Sequence, residues 1–231
     1  MPTKLEAAVY GILGADGGER WKARLRAHVK RSILKRARNL LGPPPLALPA
    51  EWDSLEYLDW KSGGDTNFAI LASADGEHDA RGFWEQGKPD KGGVWTSNIE
   101  RSPTLRKWTE SVGADYGRVR IIKLEPNNED EAIRNLHPDD NNRMNSDGDG
   151  WVVRAWLQLT DNPNSYMILR DDKDDASTES RIPLPRGAQF VLDSERLYHA
   201  VWHQGDAPRY AMIASFESGP ELETWIKSNL P

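Results

Sequence analysis

Six β-rich runs crowd into the second half of the chain, and few folds can accommodate them. They are Arg118 to Glu125 (RVRIIKLE), Trp151 to Thr160 (WVVRAWLQLT), Ser165 to Arg170 (SYMILR), Ala188 to Asp193 (AQFVLD), Tyr198 to His203 (YHAVWH) and Arg209 to Glu217 (RYAMIASFE). Each is rich in β-branched or aromatic residues and is bounded by Gly, Pro, Asn or Asp clusters. Strand after strand over about a hundred residues predicts a mainly β fold, a sandwich or jelly roll, with helices only at its flanks. Asp130 to Leu136 reads as a helical turn in the crossing between the first two runs, and Gly219 to Leu230 as a closing helix with Leu222, Trp225 and Ile226 inward. Upstream, Glu51 to Val112 promises one or two strands, NFAILAS among them. A short helix over Ser102 to Val112 follows from the cap-like Ser102, Pro103 at the first helical position, and Leu105, Trp108 and Val112 at helical spacing.

The last two runs carry the best clue to function. Alternation puts His199, Val201 and His203 on one face of the first, and Arg209, Ala211, Ile213 and Ser215 on one face of the second. Gln204 to Pro208 (QGDAP) is dense in turn formers, so a hairpin is expected between them. Its register would aim an imidazole and a guanidinium into one cavity. The first can bind a metal and the second a carboxylate.

Composition removes several alternatives. The chain of 231 residues contains no cysteine, so a metal must sit on His and carboxylate, and there is no thiol nucleophile. No stretch approaches the run of about eighteen apolar residues that a membrane span needs, and a soluble, cytoplasmic protein is expected. Ten tryptophans either fill the core or line an apolar pocket. The net charge of −6 is unevenly spread: residues 1–41 hold ten Lys or Arg against three Asp or Glu, which leaves the remainder strongly acidic. Nucleic acid is therefore an unfavourable substrate for the body, and a cationic or zwitterionic substrate is favoured.

Two domains are expected. Residues 1–45 comprise a basic amphipathic helix over 19–41, with Trp21, Leu25, Val29, Ile33, Ala37 and Leu41 on its apolar stripe, and a Pro-rich connector. The helix either reaches for an anionic partner or surface, or packs on the following domain or on a second subunit. Residues 46–231 form the β domain.

His137-Pro138-Asp139 precedes the run at 151, and His199 follows much later. Two histidines and one carboxylate suit non-haem Fe(II), because they occupy one face of the metal and leave the opposite positions open. Residues two apart in extended backbone point the same way, so His137 and Asp139 can reach one ion, with Asp140 as the rival carboxylate. Asn145, Asp147 and Asp149 imitate the start of an EF-hand loop, but Trp156 stands where its closing glutamate belongs. Asp171 to Glu179 reads as a solvated loop with substrate gating as the alternative, His203 as a rim residue, and His28 and His78 lie in segments without a partner motif. Arg154 sits on an otherwise packed strand and wants an anionic partner.

With these residues in hand, the stretch over 117–217 resembles the double-stranded β-helix of the Fe(II)/2-oxoglutarate-dependent oxygenases, and more narrowly their aspartyl/asparaginyl β-hydroxylase type. The resemblance matches His137, Arg154, His199 and Arg209 to that group's first His motif, the Arg of its R-x-H strand, its second His, and the Arg ten residues later that grips 2-oxoglutarate. Trp156 stands where the group has the His of R-x-H, and the interval from His137 to Arg154 is longer than usual, with DDNNRMNSDGDG inserted. It implies Fe(II) on His137, Asp139 and His199. It also implies 2-oxoglutarate held by Arg209 with Arg154 and Trp156 nearby, and no catalytic residue beyond these ligands. The implied reaction is hydroxylation, with dioxygen, of an amino-acid side chain that is free, in a peptide or in a small metabolite. The competing reading is a jelly-roll binding module without turnover, docked to a partner through the basic helix; joint binding of Fe(II) and 2-oxoglutarate discriminates the two.

Overall fold

The computed structural model describes residues 47–59, 66–145, 150–162 and 164–229. The expected basic helix over 19–41 and the domain boundary at 45 lie outside these residues. The strands are β1 (Leu58–Asp59), β2 (Thr66–Ser73), β3 (Val94–Trp95), β4 (Tyr116–Leu124), β5 (Val152–Gln158), β6 (Ser165–Arg170), β7 (Ser180–Pro183), β8 (Gln189–Leu192), β9 (Tyr198–His203) and β10 (Arg209–Glu217). Among the described residues three α-helices accompany them: α1 (Pro103–Ser111), α2 (Glu129–Arg134) and α3 (Pro220–Asn229). All pairings are antiparallel, in a sheet ordered β1-β2-β4-β10-β5-β8 with β3 on β2, and a second sheet ordered β7-β6-β9. Over the described residues the chain is mainly β with few helices, and none of those helices is long and apolar enough to cross a membrane.

The expected hairpin does not form. β9 pairs with β6 in the small sheet, whereas β10 enters the large sheet between β4 and β5, with Ile213 opposite Arg120 on one side and Trp156 on the other. Both faces of β10 are apolar or carry buried groups, and such a strand needs neighbours on both edges as well as cover on both faces. The QGDAP segment is a crossing between sheets. His199 and Arg209 therefore belong to opposite walls of one interior.

Two further differences are local. The described residues from 51 to 112 hold three strands, of which β1 and β3 have two residues each, too short to leave a periodic signal. The strand β7 (SRIP) escapes sequence reading because its Ser, Arg and Pro are poor strand formers, a composition that suits the edge position it occupies.

The outer face of the large sheet carries the apolar core. α1 starts at Pro103, which supplies no N–H and is preset for the first turn, and it buries Leu105, Trp108 and Thr109. Trp108 packs edge-on against Phe216 of β10 and Trp225 of α3, and its Nε1 donates to Gln189 Oε1 at 2.6 Å. Leu222 and Ile226 of α3 join the same buried cluster. Such burial stabilises by roughly 1.5–3 kcal/mol per large apolar side chain. Fixed from behind in this way, the large sheet can present an unusually polar inner face.

That inner face follows from the register. Ile70, Arg120, Ile213, Trp156 and Phe190 form one row across β2, β4, β10, β5 and β8, and Ser215, Arg154 and Leu192 form the next. Trp156 stacks on Phe190 with ring centroids 5.3 Å apart, and its edge meets the ring of His199 at 6.0 Å, so the two sheets meet across this row.

Candidate metal centre and its arginine surround

His137, Asp139 and His199 converge, with one ligand atom from each lying within 4.8 Å of the others. Backbone pairing does the positioning. α2 opens with a capping box in which Asn128 Oδ1 accepts from Glu131 N at 2.9 Å and Glu131 Oε2 accepts from Asn128 N at 3.1 Å. The helix ends at Asn135, and two residues on His137 bridges His199 in both directions, N to O at 3.3 Å and O to N at 3.0 Å. Asp139 N then donates to Ser194 O at 2.8 Å, which ties the carboxylate's backbone to the turn before β9. Asp139, not Asp140, belongs to the converging set.

The protonation pattern suits a cation. His137 Nδ1 lies 2.7 Å from Asn135 O and His199 Nδ1 lies 3.3 Å from Leu197 O. A carbonyl can only accept, so the proton of each neutral ring sits on Nδ1 and the lone pair on Nε2. Burial pushes the His199 imidazole down to about 4, against the opposing pull of Asp139, and keeps it neutral at ordinary pH. Its Nε2 faces Asp139 Oδ2 across 3.8 Å. Burial alone would raise the Asp139 carboxyl, but Arg154, His199, a hydrogen bond from Ser194 and Arg118 outweigh it and hold it well below the usual carboxylate range. A lone pair and a carboxylate oxygen facing each other at that distance leave room for a metal ion between them.

Arg154 Nε lies 2.9 Å from Asp139 Oδ2, yet that oxygen has no aligned hydrogen-bond donor among the described residues. The reason is Asn141. Its Oδ1 accepts from Arg154 Nη2 at 2.7 Å and Nε at 3.2 Å, and from Arg118 Nη2 at 2.8 Å. One amide oxygen thus turns both guanidinium groups toward itself and leaves Oδ2 a close counter-charge with its lone pairs unspent. The chain continues through Arg118 Nε to Asp90 Oδ2 at 3.1 Å, and Ser215 Oγ donates to the same oxygen at 2.9 Å.

Gly117 makes that chain possible. A Cβ there would overlap the backbone and side-chain oxygens of Asp90, which press directly on the strand. Gly117→Ala is expected to cost about 1–3 kcal/mol of stability in urea unfolding, the usual penalty of overpacking. A variant as stable as the parent would mean that the Asp90 segment can shift freely.

Arg209 is the other group read from the sequence. It is 2% exposed, makes no ion pair or side-chain hydrogen bond among the described residues, and its Nε has no acceptor. Burial pushes its guanidinium down to about 9, so it remains charged at neutral pH. Arg154 sits with Asp139 and Asn141, apart from Arg209, and Trp156 forms the wall beside His199. His203 is fully buried, with Nδ1 2.7 Å from Ser165 Oγ and Nε2 2.8 Å from Ala207 O. The expectation of a rim residue fails because the crossing to β10 folds over it. Sequence reading passed over Asn141, Asp90, Arg118 and Arg120; the two arginines share a face of β4, and the reasoning applied to Arg154 would have flagged them.

The shift of His199 has a measurable consequence. Its folded-state pKa lies below the unfolded value of 6.5, so the unfolded chain takes the proton first and stability falls as pH drops from about 6.5 towards about 4. Metal-free protein should lose about 2 kcal/mol between about pH 7 and about pH 4.5 through this group. His199→Gln should flatten that part of the profile in urea melts; an unchanged slope would show that the imidazole is not desolvated.

No family model and no curated protein matches the chain. Similar solved structures exist at low identity. One is FeII HppE in complex with substrate, 16% identical over 43% of this chain and 46% of that one, with a TM-score of 0.30. The chain thus spans about half of that protein's length in the match. Another is an oxidoreductase of the 2OG-Fe(II) oxygenase family from Burkholderia pseudomallei, 12% identical over 75% and 78%, with a TM-score of 0.45. A third is a predicted oxalate decarboxylase from Thermotoga maritima, 11% identical over 77% and 93%, with a TM-score of 0.33.

Proposed function

We propose that the chain is an Fe(II)- and 2-oxoglutarate-dependent oxygenase built on a double-stranded β-helix, a jelly roll, over residues 46–231. The observation that carries this reading is the convergence of two Nε2 lone pairs and an unbonded carboxylate oxygen from His137, His199 and Asp139. Two imidazoles and a carboxylate fit Fe(II) and leave half of its coordination sphere open. His137 is exposed and His199 buried, so the centre is open on the side from which ligands arrive. Bound there with 2-oxoglutarate and dioxygen, iron supplies the oxidising power for hydroxylation of a C–H bond. Arg209 supplies the buried cation that takes the far carboxylate of 2-oxoglutarate.

Arg154 takes a different part from the one the resemblance implies. Its guanidinium is already engaged by Asn141 and lies against Asp139, and in this reading it orients the carboxylate ligand. Trp156 supplies a flat apolar wall beside His199 and excludes water from it. The proposed substrate is an amino-acid side chain, free, in a peptide or in a small metabolite, and a cytoplasmic setting belongs to the same reading. The alternative of a barrel without chemistry is not favoured, since a module that only docks needs no converging ligands. The test is an anaerobic titration: one equivalent of Fe(II) should bind, and 2-oxoglutarate should then produce a metal-to-ligand charge-transfer band. Failure of either step sinks the reading.

A further inference from the structure

The structure assigns a second anion site to Arg120, and we propose that it holds the carboxylate of a small acidic substrate beside the metal centre. Arg118 is matched by Asp90 and Arg154 by Asp139. Arg209 and Arg120 have no carboxylate partner among the described residues. Arg120 is 4% exposed; its Nη2 donates to Ala80 O at 2.6 Å and Arg81 O at 3.2 Å, and its Nε has no acceptor. Neutral carbonyls hold the group in place without cancelling its charge. Burial and the like charges of Arg118 and Arg154 oppose the cation, while Asp90 and Asp139 only partly relieve it. A guanidinium kept in such surroundings gains most from an arriving anion.

One cosubstrate cannot satisfy both unpaired arginines. Arg209 pairs with Leu124 of β4, four residues beyond Arg120 on the same face, a step of about 13 Å along the strand. If 2-oxoglutarate places one carboxylate at the metal, it has one left, and Arg209 takes it. The second guanidinium therefore needs a second anion. Arg120 stands in the row that reaches His199 through Trp156, whereas Arg209 lies four residues along the strand from that row, so Arg120 is the arginine nearer the metal.

Its surroundings select the kind of anion. Ile70 and Ile213 flank Arg120 on the neighbouring strands, and the Phe68 ring lies 5.2 Å from its guanidinium carbon. With Nη2 committed to two carbonyls, the donor left without an acceptor is the single Nε–H, and it suits one carboxylate oxygen better than a phosphoryl group, which calls for more donors. From Arg120 the row runs over Ile213 to Trp156 and so to His199, an apolar floor about 10 Å across two strand spacings. A short aliphatic acid or amino acid lying along it would have its carboxylate on Arg120 and its far carbons towards the metal. The acidic exterior suggests a cation or zwitterion, but the interior charge favours an acid, and a zwitterion satisfies both.

This inference rests on the oxygenase reading for the identity of the metal and the cosubstrate, but the binding event needs neither. Propionate and its uncharged counterpart propionamide would be titrated by calorimetry into two forms of the full chain. One is the Fe(II) protein with saturating 2-oxoglutarate, without oxygen. The other is metal-free Arg209→Met, in which the deeper cation is gone. Propionate should bind saturably to both and propionamide to neither, and adding Arg120→Met should weaken propionate at least about ten-fold. Arg120→Lys keeps a charge and should retain the preference for propionate at several-fold lower affinity, which covers the case in which the Met variant does not fold. The proposal falls if propionate does not bind, if propionamide binds equally, or if both Arg120 variants titrate like the parent. Binding to metal-free Arg209→Met alongside a wild type that shows no charge-transfer band would sink the oxygenase reading and leave the anion site standing.

Discussion

Arg209→Met is expected to weaken 2-oxoglutarate binding by about ten-fold or more while leaving Fe(II) affinity intact and making the metal-free protein more stable. The loss follows from removing charge-assisted hydrogen bonds, each contributing about 1.5–3 kcal/mol. The gain follows from the state of the side chain before any ligand arrives. It is buried, still charged at neutral pH, and has no counter-charge among the described residues. Replacing buried ionic groups by apolar ones of similar volume is neutral to stabilising by roughly 1–4 kcal/mol, and an unpaired charge lies at the favourable end. An anaerobic titration following the charge-transfer band gives the first quantity and urea unfolding of metal-free protein the second. A variant that loses stability and keeps its cosubstrate affinity would make Arg209 a structural group and move the distal carboxylate elsewhere.

Asp139→Ala should have the opposite signature, with metal binding and stability lost together. Asp139 supplies a ligand atom and is also the counter-charge of Arg154. Breaking a buried pair from one side typically costs 3–5 kcal/mol, because the survivor is left charged and unpaired. Asp140→Ala should retain both properties, since that carboxylate stands outside the converging set. The double variant Asp139→Ala with Arg154→Met should recover much of the stability and none of the metal. If the double variant is no more stable than Asp139→Ala, the pair is not what the loss measures. If Asp140→Ala abolishes stoichiometric Fe(II) binding and Asp139→Ala does not, the ligand assignment is wrong.

The sequence shows the long strands because period-two alternation and turn clusters act locally. The limits expected for Ser165–Arg170, Tyr198–His203 and Arg209–Glu217 coincide with those of β6, β9 and β10. It does not show which strands pair. The QGDAP segment suits a tight turn and a crossing between sheets equally well, and only the competition of β4 and β5 for β10 decides. The ligand types at 137, 139 and 199 are legible because metal chemistry narrows the residues that can serve. Asn141 is not: an asparagine in a polar loop carries no sign that its single oxygen will gather two arginines. Arg120 and Arg118 are visible as charges within an apolar run, but their partners come from distant loops at 80–81 and 90.

The place of β10 in the large sheet has a consequence for synthesis. Translation delivers this strand after every other strand described, yet it belongs at the centre, with β4 and β5 paired to its two edges and not to each other. Until residues 209–217 leave the ribosome, those two strands present open edges that can pair with other chains. The nascent chain must wait, aggregation-prone, for this strand, and its long-range pairing makes that step slow. A chain cut before β10 should therefore fail to fold at all, rather than fold without its deepest arginine, and a chaperone that shields β4 and β5 would act on the least protected state this protein passes through.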